Sequence, residues 1–122
     1  MPRSLRLLLV EDHPDSAELM AELLELHGHT VQIANTASAA MQLASMQVFD
    51  LVVSDVGLPD QDGYALMHEL RTRYALKGIA MTGSQRREEL GADQDTGFIA
   101  HLVKPVSLQI LVQTIERVSS DP

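Results

Sequence analysis

Apolar residues along the chain fall into two alternating patterns. Short apolar runs occupy residues 5–10, 30–34, 51–54, 78–81 and 98–103. The first and third are nearly continuous in Leu and Val, as expected of strands covered on both faces of a parallel sheet. Between the runs lie stretches with helical spacing. The first, 14–27, lines up Ala17, Met20, Leu23 and Leu24, with Pro14 suited to the first turn and Gly28 to the stop. The second, 38–46, is rich in Ala. The third runs from Asp62 or Gly63 to Tyr74 with Leu66, Met67 and Leu70 inward, and the fifth starts near Ser107, a good cap, with Leu108, Leu111, Val112 and Ile115 inward. The fourth, 86–96, is weak. Gly91 in its interior costs about 1 kcal/mol against Ala, which predicts a short or frayed helix.

Strand and helix therefore alternate throughout. Right-handed crossovers then give an α/β fold, doubly wound and flavodoxin-like, a (βα)5 sandwich on a five-stranded parallel sheet of order 2-1-3-4-5. A length of 122 residues suits one domain, 1–122, with its core at about 5–118. No repeat or internal linker interrupts it.

Composition narrows the function. No apolar stretch is long enough to span a bilayer, and the N-terminus lacks the apolar segment of a signal peptide. Cysteine is absent, which excludes disulfides and thiolate chemistry and fits a cytoplasmic location. A net charge of −8 opposes direct nucleic-acid binding. The charge keeps the chain soluble, or gathers acids around a cation.

Ligands of such sheets bind beyond the carboxyl ends of the strands. Glu11 and Asp12 follow the first strand, Asp55 ends the third, Thr82 and Gly83 the fourth, Lys104 and Pro105 the fifth. Each has a plain alternative. The first two acids could favour a helix N-terminus, Asp55 could cap the next turn, and Lys104 could be solvated. Together they put three carboxylates, a hydroxyl and an ammonium at one sheet edge. Clustered carboxylates repel unless a cation neutralises them, and a few oxygen ligands suit Mg2+. A carboxylate beside such an ion can attack phosphorus, with Lys104 and Thr82 meeting the phosphoryl oxygens.

The ordered set "LLLVEDHPD", "DLVVSDVGLPDQDGYAL", "MTG" and "LVKPV" resembles the receiver domain of two-component response regulators over about residues 5–118. The resemblance implies transfer of a phosphoryl group from a sensor histidine kinase or histidine phosphotransfer protein to Asp55. Mg2+ would be held by Glu11, Asp12, Asp55 and the Gly57 carbonyl, and Thr82 and Lys104 would act on the phosphoryl group. Self-phosphorylation from a phosphohistidine donor and autodephosphorylation would follow, rather than turnover of a classical enzyme. Small residues at Gly57 and Ser84 predict easy access for water. "GFIAHLVKPV" looks most like receivers of hybrid sensor kinases, which implies a covalently linked kinase or output domain outside this chain. The family's switch aromatic is His101 here, three residues before Lys104, and strand alternation places it on the face opposite that lysine.

Two other classes compete. One is a protein-interaction module of the same fold that is never phosphorylated. The other is an FMN-binding electron carrier, which needs a phosphate loop after the first strand. "EDHPDS" stands there instead, and aromatics are only 3%.

Overall fold

The computed structural model describes residues 4–83 and 97–119. The weak helical segment with Gly91, and Ser84, lie outside the described residues. The chain runs β1 (Arg6–Val10), α1 (Pro14–Leu26), β2 (Thr30–Ala34), α2 (Ala37–Met46), β3 (Leu51–Asp55), α3 (Gly63–Tyr74), β4 (Gly78–Thr82), β5 (Phe98–Val103) and α4 (Leu108–Ser119). The strands form one parallel sheet in the order β2-β1-β3-β4-β5, as the sequence predicts. No helix among the described residues is long and apolar enough to cross a membrane.

The Leu-rich β1 shows why the sheet is covered on both faces. Successive side chains point to opposite sides of a strand. Leu7 and Leu9 pack with Ala17, Ala21 and Leu24 of α1 and with Leu111 and Ile115 of α4. Leu8 and Val10 pack with Ala37, Ala40 and Ala44 of α2 and with Leu66 and Met67 of α3. All four strand residues are fully buried. Burial of each is worth about 1.5–3 kcal/mol against exposure, so the two faces hold the central strand from both sides. The alanines of α2 let that helix lie close to the sheet.

The sheet edges differ. β5 is bulged where its pairing with β4 slips near Ile99, and its residues are half-buried or exposed. A bulge is a usual way of blunting an edge. The bulge also sets facing: Phe98 packs on the α2–α3 side, while Ala100 and Leu102 pack on the α1–α4 side.

Two local details carry stability consequences. His29, just before β2, is buried, and its Nδ1 accepts the Leu5 amide at 3.2 Å. Burial lowers its pKa from the ordinary 6.5, aided by His27 and opposed by Glu116. The folded state therefore favours the neutral ring, and below that pH the unfolded chain binds more protons. The stabilisation is complete above pH 6.5 and is lost as the pH falls below it. Denaturant titrations between neutral pH and mild acid should show this loss, and His29→Gln should reduce it. A stability difference between the two proteins that is constant with pH would contradict the assignment. Ala75, the C-cap of α3, has φ 57° and ψ 31°, a left-handed conformation, while its amide donates to the Arg71 carbonyl. That conformation strains any residue with a Cβ. Ala75→Gly should raise the unfolding free energy by about 0.5–1 kcal/mol, after allowance for the more flexible unfolded chain. Destabilisation in the same denaturant titration would refute this account.

Candidate functional site

The acids after β1 are turned into the fold, not spent on the helix. Glu11 extends the sheet ladder by one residue, its amide donating to the Ala34 carbonyl at 3.0 Å. Its own carbonyl accepts from the Asn35 side chain at 2.9 Å. The N-cap of α1 is His13, which makes no side-chain cap bond. The His13 amide instead donates to Glu11 Oε2 at 3.1 Å. Glu11 is buried, whereas Asp12 stands half-buried at the rim.

Asp55 is the last residue of β3 and is also buried. It does not cap the next helix, because Asp62 fills that role, accepting from the Tyr64 amide at 2.8 Å. The glycine that follows explains the tight turn. The Gly63 amide donates to the Val56 carbonyl at 2.8 Å, and a Cβ on Gly63 would lie 2.6 Å from Val56 Cα. Only glycine lets α3 start against the backbone leaving Asp55. Asp60, midway along this loop, accepts from the Ala37 and Ser38 amides at 2.9 and 3.0 Å. These amides lower its pKa, and they tie the loop to the start of α2. Gly57 is exposed, bridges to Asp62, and has open space where a Cβ would sit.

Lys104 completes the cluster from the other side. Its amide donates to the Thr82 carbonyl at 2.6 Å, which registers the end of β5 on the end of β4. Its Nζ lies 2.5 Å from Asp55 Oδ1 and 3.2 Å from Glu11 Oε1. Thr82 itself is fully buried beside them. Single donor atoms of Glu11, Asp12, His13 and Asp55 all lie within 4.8 Å of one another.

The electrostatics follow from burial. Asp55 is pushed up to about 7, chiefly by desolvation and then by hydrogen bonding and repulsion from Glu11, against the pull of Lys104. Burial also raises Glu11, but hydrogen bonds from Asp55 and the His13 amide, with the Lys104 charge, bring it down to about 2. Burial disfavours the Lys104 ammonium, yet Asp55 and Glu11 outweigh it and raise its pKa. One ammonium thus serves two buried carboxylates, and burial beside Glu11 makes Asp55 the harder of the two to ionise. The donor set fits a hard divalent cation. Three carboxylates within reach of one ion match oxygen ligation, and an added positive charge would return Asp55 to its ionised form.

The structure therefore brings together Glu11, Asp12, Asp55 and Lys104, with Thr82 beside them and Gly57 in the loop just past Asp55. His101 lies apart. Its ring sits 6.2 Å from that of Tyr64 and 6.0 Å from that of Phe98, on the α3 side of the sheet, and its Nε2 is buried without a hydrogen-bond partner among the described residues. Sequence reasoning missed His13, Asn35 and Asp60. A histidine directly after two acids was a readable signal for the first. A cavity of about 540 Å³ opens beside the cluster. Glu11, Gly83 and Lys104 line it together with Leu19, Met20 and Leu23 of α1 and with Val106 and Leu108.

Comparisons with known proteins agree with this geometry. Residues 7–116 match the model of the response regulator receiver domain. An uncharacterised 14.6 kDa protein of Leptolyngbya boryana is 34% identical over 91% of this chain and 87% of its own. The sensor histidine kinase RcsC of Escherichia coli is 34% identical over 89% of this chain, which spans only 12% of that protein. Among solved structures, a sensor protein from Polaromonas sp. JS666 superposes with a TM-score of 0.86 at 29% identity, covering 98% of each chain. The non-phosphorylated HemR receiver domain from Leptospira biflexa gives 0.83 at 32% identity, covering 96% of this chain and 95% of that one. The chain belongs to the response regulator receiver domain family of two-component signalling.

Proposed function

We propose that the chain is a phospho-acceptor switch, taking a phosphoryl group onto Asp55 from a phosphohistidine donor with Mg2+ in the acidic pocket. The observation that carries this reading is the buried Asp55 carboxylate held between Lys104 and a second buried carboxylate. An Asp55 oxygen attacks phosphorus and forms the P–O bond of an acyl phosphate. The P–N bond to the donor imidazole breaks, and its electron pair leaves with the ring nitrogen. Lys104 pairs with a phosphoryl oxygen, and Thr82 donates a hydrogen bond to another. Mg2+, held by Glu11, Asp12, Asp55 and the Gly57 carbonyl, would offset phosphoryl charge and keep Asp55 ionised. The phosphoryl group is then lost by hydrolysis, in which water attacks phosphorus, the Asp55 carboxylate leaves and inorganic phosphate is released. The open space over Gly57 favours that access and a short- to medium-lived phosphoryl group.

The donor is a sensor histidine kinase or a histidine phosphotransfer protein, and it docks over the apolar cavity between α1 and the segment after β5. Leu19 in its lining is 59% exposed, and Lys104, which pairs with Asp55, lines it too. A helix carrying phosphohistidine could cover the apolar wall and still reach the acceptor. Similarity to RcsC and to the Pseudomonas aeruginosa response regulator FleR, of which this chain spans 12% and 24%, supports a place in a phosphorelay with a kinase or output domain outside the chain.

Four variants separate chemistry from docking. Asp55→Asn should abolish uptake from acetyl phosphate and Mg2+, read by intact mass, with the circular dichroism spectrum unchanged. Uptake by that variant at an acyl linkage, or no uptake by the wild type, would favour the unphosphorylated interaction module. Glu11→Gln or Asp12→Asn should weaken Mg2+ binding about tenfold or more and slow uptake without removing the acceptor. Leu19→Asp should slow transfer from a protein donor and leave uptake from acetyl phosphate unchanged. Loss of one contact worth about 1.4 kcal/mol would cost a factor of about ten in affinity. Equal slowing with both donors would count against the docking surface.

A further inference from the structure

We propose that His13 supplies a nitrogen ligand to the acidic pocket, so that the pocket holds borderline transition-metal ions, such as Co2+ and Zn2+, more tightly than its carboxylates alone would. This rests on the reading of the pocket as a cation site. His13 adds a donor of a different chemical kind to it.

The geometry is local. His13 Nδ1 lies 3.2 Å from Glu11 Oε2 and 3.4 Å from Asp12 Oδ1. The same atom belongs to the group of donors from Glu11, Asp12, His13 and Asp55 that fit within 4.8 Å. Nitrogen and oxygen ligands sit at about 2.0–2.2 Å from such ions, so donors across one ion are about 4.2 Å apart. The set needs to close by about half an ångström. The His13 side chain is 72% exposed and free to make that movement, while its backbone is fixed by the amide bond to Glu11 and by its place at the start of α1. With Nδ1 as the ligand, Nε2 keeps the ring proton, so a neutral imidazole can coordinate.

The chemistry sets the selectivity. Mg2+ prefers oxygen, demands near-ideal octahedral geometry and gives up water reluctantly. An imidazole in place of one water gains it little. The first-row divalent ions gain from a nitrogen donor and bind more strongly along the series from Mn2+ to Cu2+. His13 therefore shifts relative affinity rather than creating the site. The acids hold either class of ion, and the ring discriminates between them.

The test uses the intact chain near neutral pH, with Co2+ and Zn2+ as probes and Mg2+ as control. Titration calorimetry gives affinities, and the visible spectrum of Co2+ reports a nitrogen ligand. In His13→Ala and His13→Gln, Co2+ and Zn2+ should bind about ten- to a hundredfold more weakly, with Mg2+ affinity changed less than about twofold. The Co2+ spectrum should change in the variants, and in the wild type Co2+ should give large paramagnetic shifts of the His13 ring protons, whereas Mg2+ should not. Unchanged Co2+ affinity and spectrum in both variants, with normal Mg2+ binding, would overturn the inference and leave the acidic pocket standing. Parallel loss of Mg2+ and Co2+ would assign His13 a structural role and also overturn it. If the wild type bound neither ion, the pocket reading itself would fall along with the role of His13.

Discussion

The ion pair of Lys104 with two buried carboxylates constrains every element around it. A carboxylate taken out of water costs several kcal/mol unless partners replace its hydration. Asp55 and Glu11 are both buried, and they sit beside each other. The compensation comes from a lysine two strands away from Asp55 in the sheet. Adjacent strands are about 4.8 Å apart, so the reach across β4 is roughly 9–10 Å. A long, flexible stem can make that reach, and a short side chain on β5 could not. The strand order, the residue type at the end of β5 and the burial of Asp55 are thus one constraint. Removing the ammonium alone would leave adjacent carboxylates buried without compensation.

Much of this was legible in the sequence because strand ends obey a simple rule. Apolar runs located the strands, helical spacing located the crossovers, and the parallel order then put residues after each strand at one edge. Glu11, Asp55, Thr82 and Lys104 were placed by that reasoning alone. The direction in which an individual side chain turns was not legible. Glu11 and Asp12 stand where helix-favouring acids stand, and only the contact with Lys104 shows that Glu11 faces the pocket. Asn35 holds Glu11 from 24 residues away, and Asp60 holds Ala37 from 23 residues away. Such bonds join separate loops, and no local pattern encodes them. The face of the sheet occupied by His101 followed from alternation, but its aromatic neighbour Tyr64 comes from α3, distant in sequence.

The two walls of the pocket are built differently. On the α2 side, Asp60 engages two helix amides and Gly63 seats α3 directly on the backbone after Asp55. That wall is pinned by backbone contacts that leave no slack. On the β4–β5 side, the described link at the strand ends is the Lys104 amide on the Thr82 carbonyl. The acceptor is thereby fixed in place, and the group that neutralises it comes from the end of β5 on the other side.

The position of β5 at the border of the sheet gives that arrangement a mechanical meaning. β1, β3 and β4 each have a neighbour on both sides, whereas β5 has β4 alone. Drawing Lys104 inward or letting it out strains one ladder of hydrogen bonds instead of two. The lysine is mounted on an edge strand, and the aspartate it serves on an interior one. A change of charge at Asp55 would therefore load a strand held by one ladder, at the border of the sheet rather than in its interior.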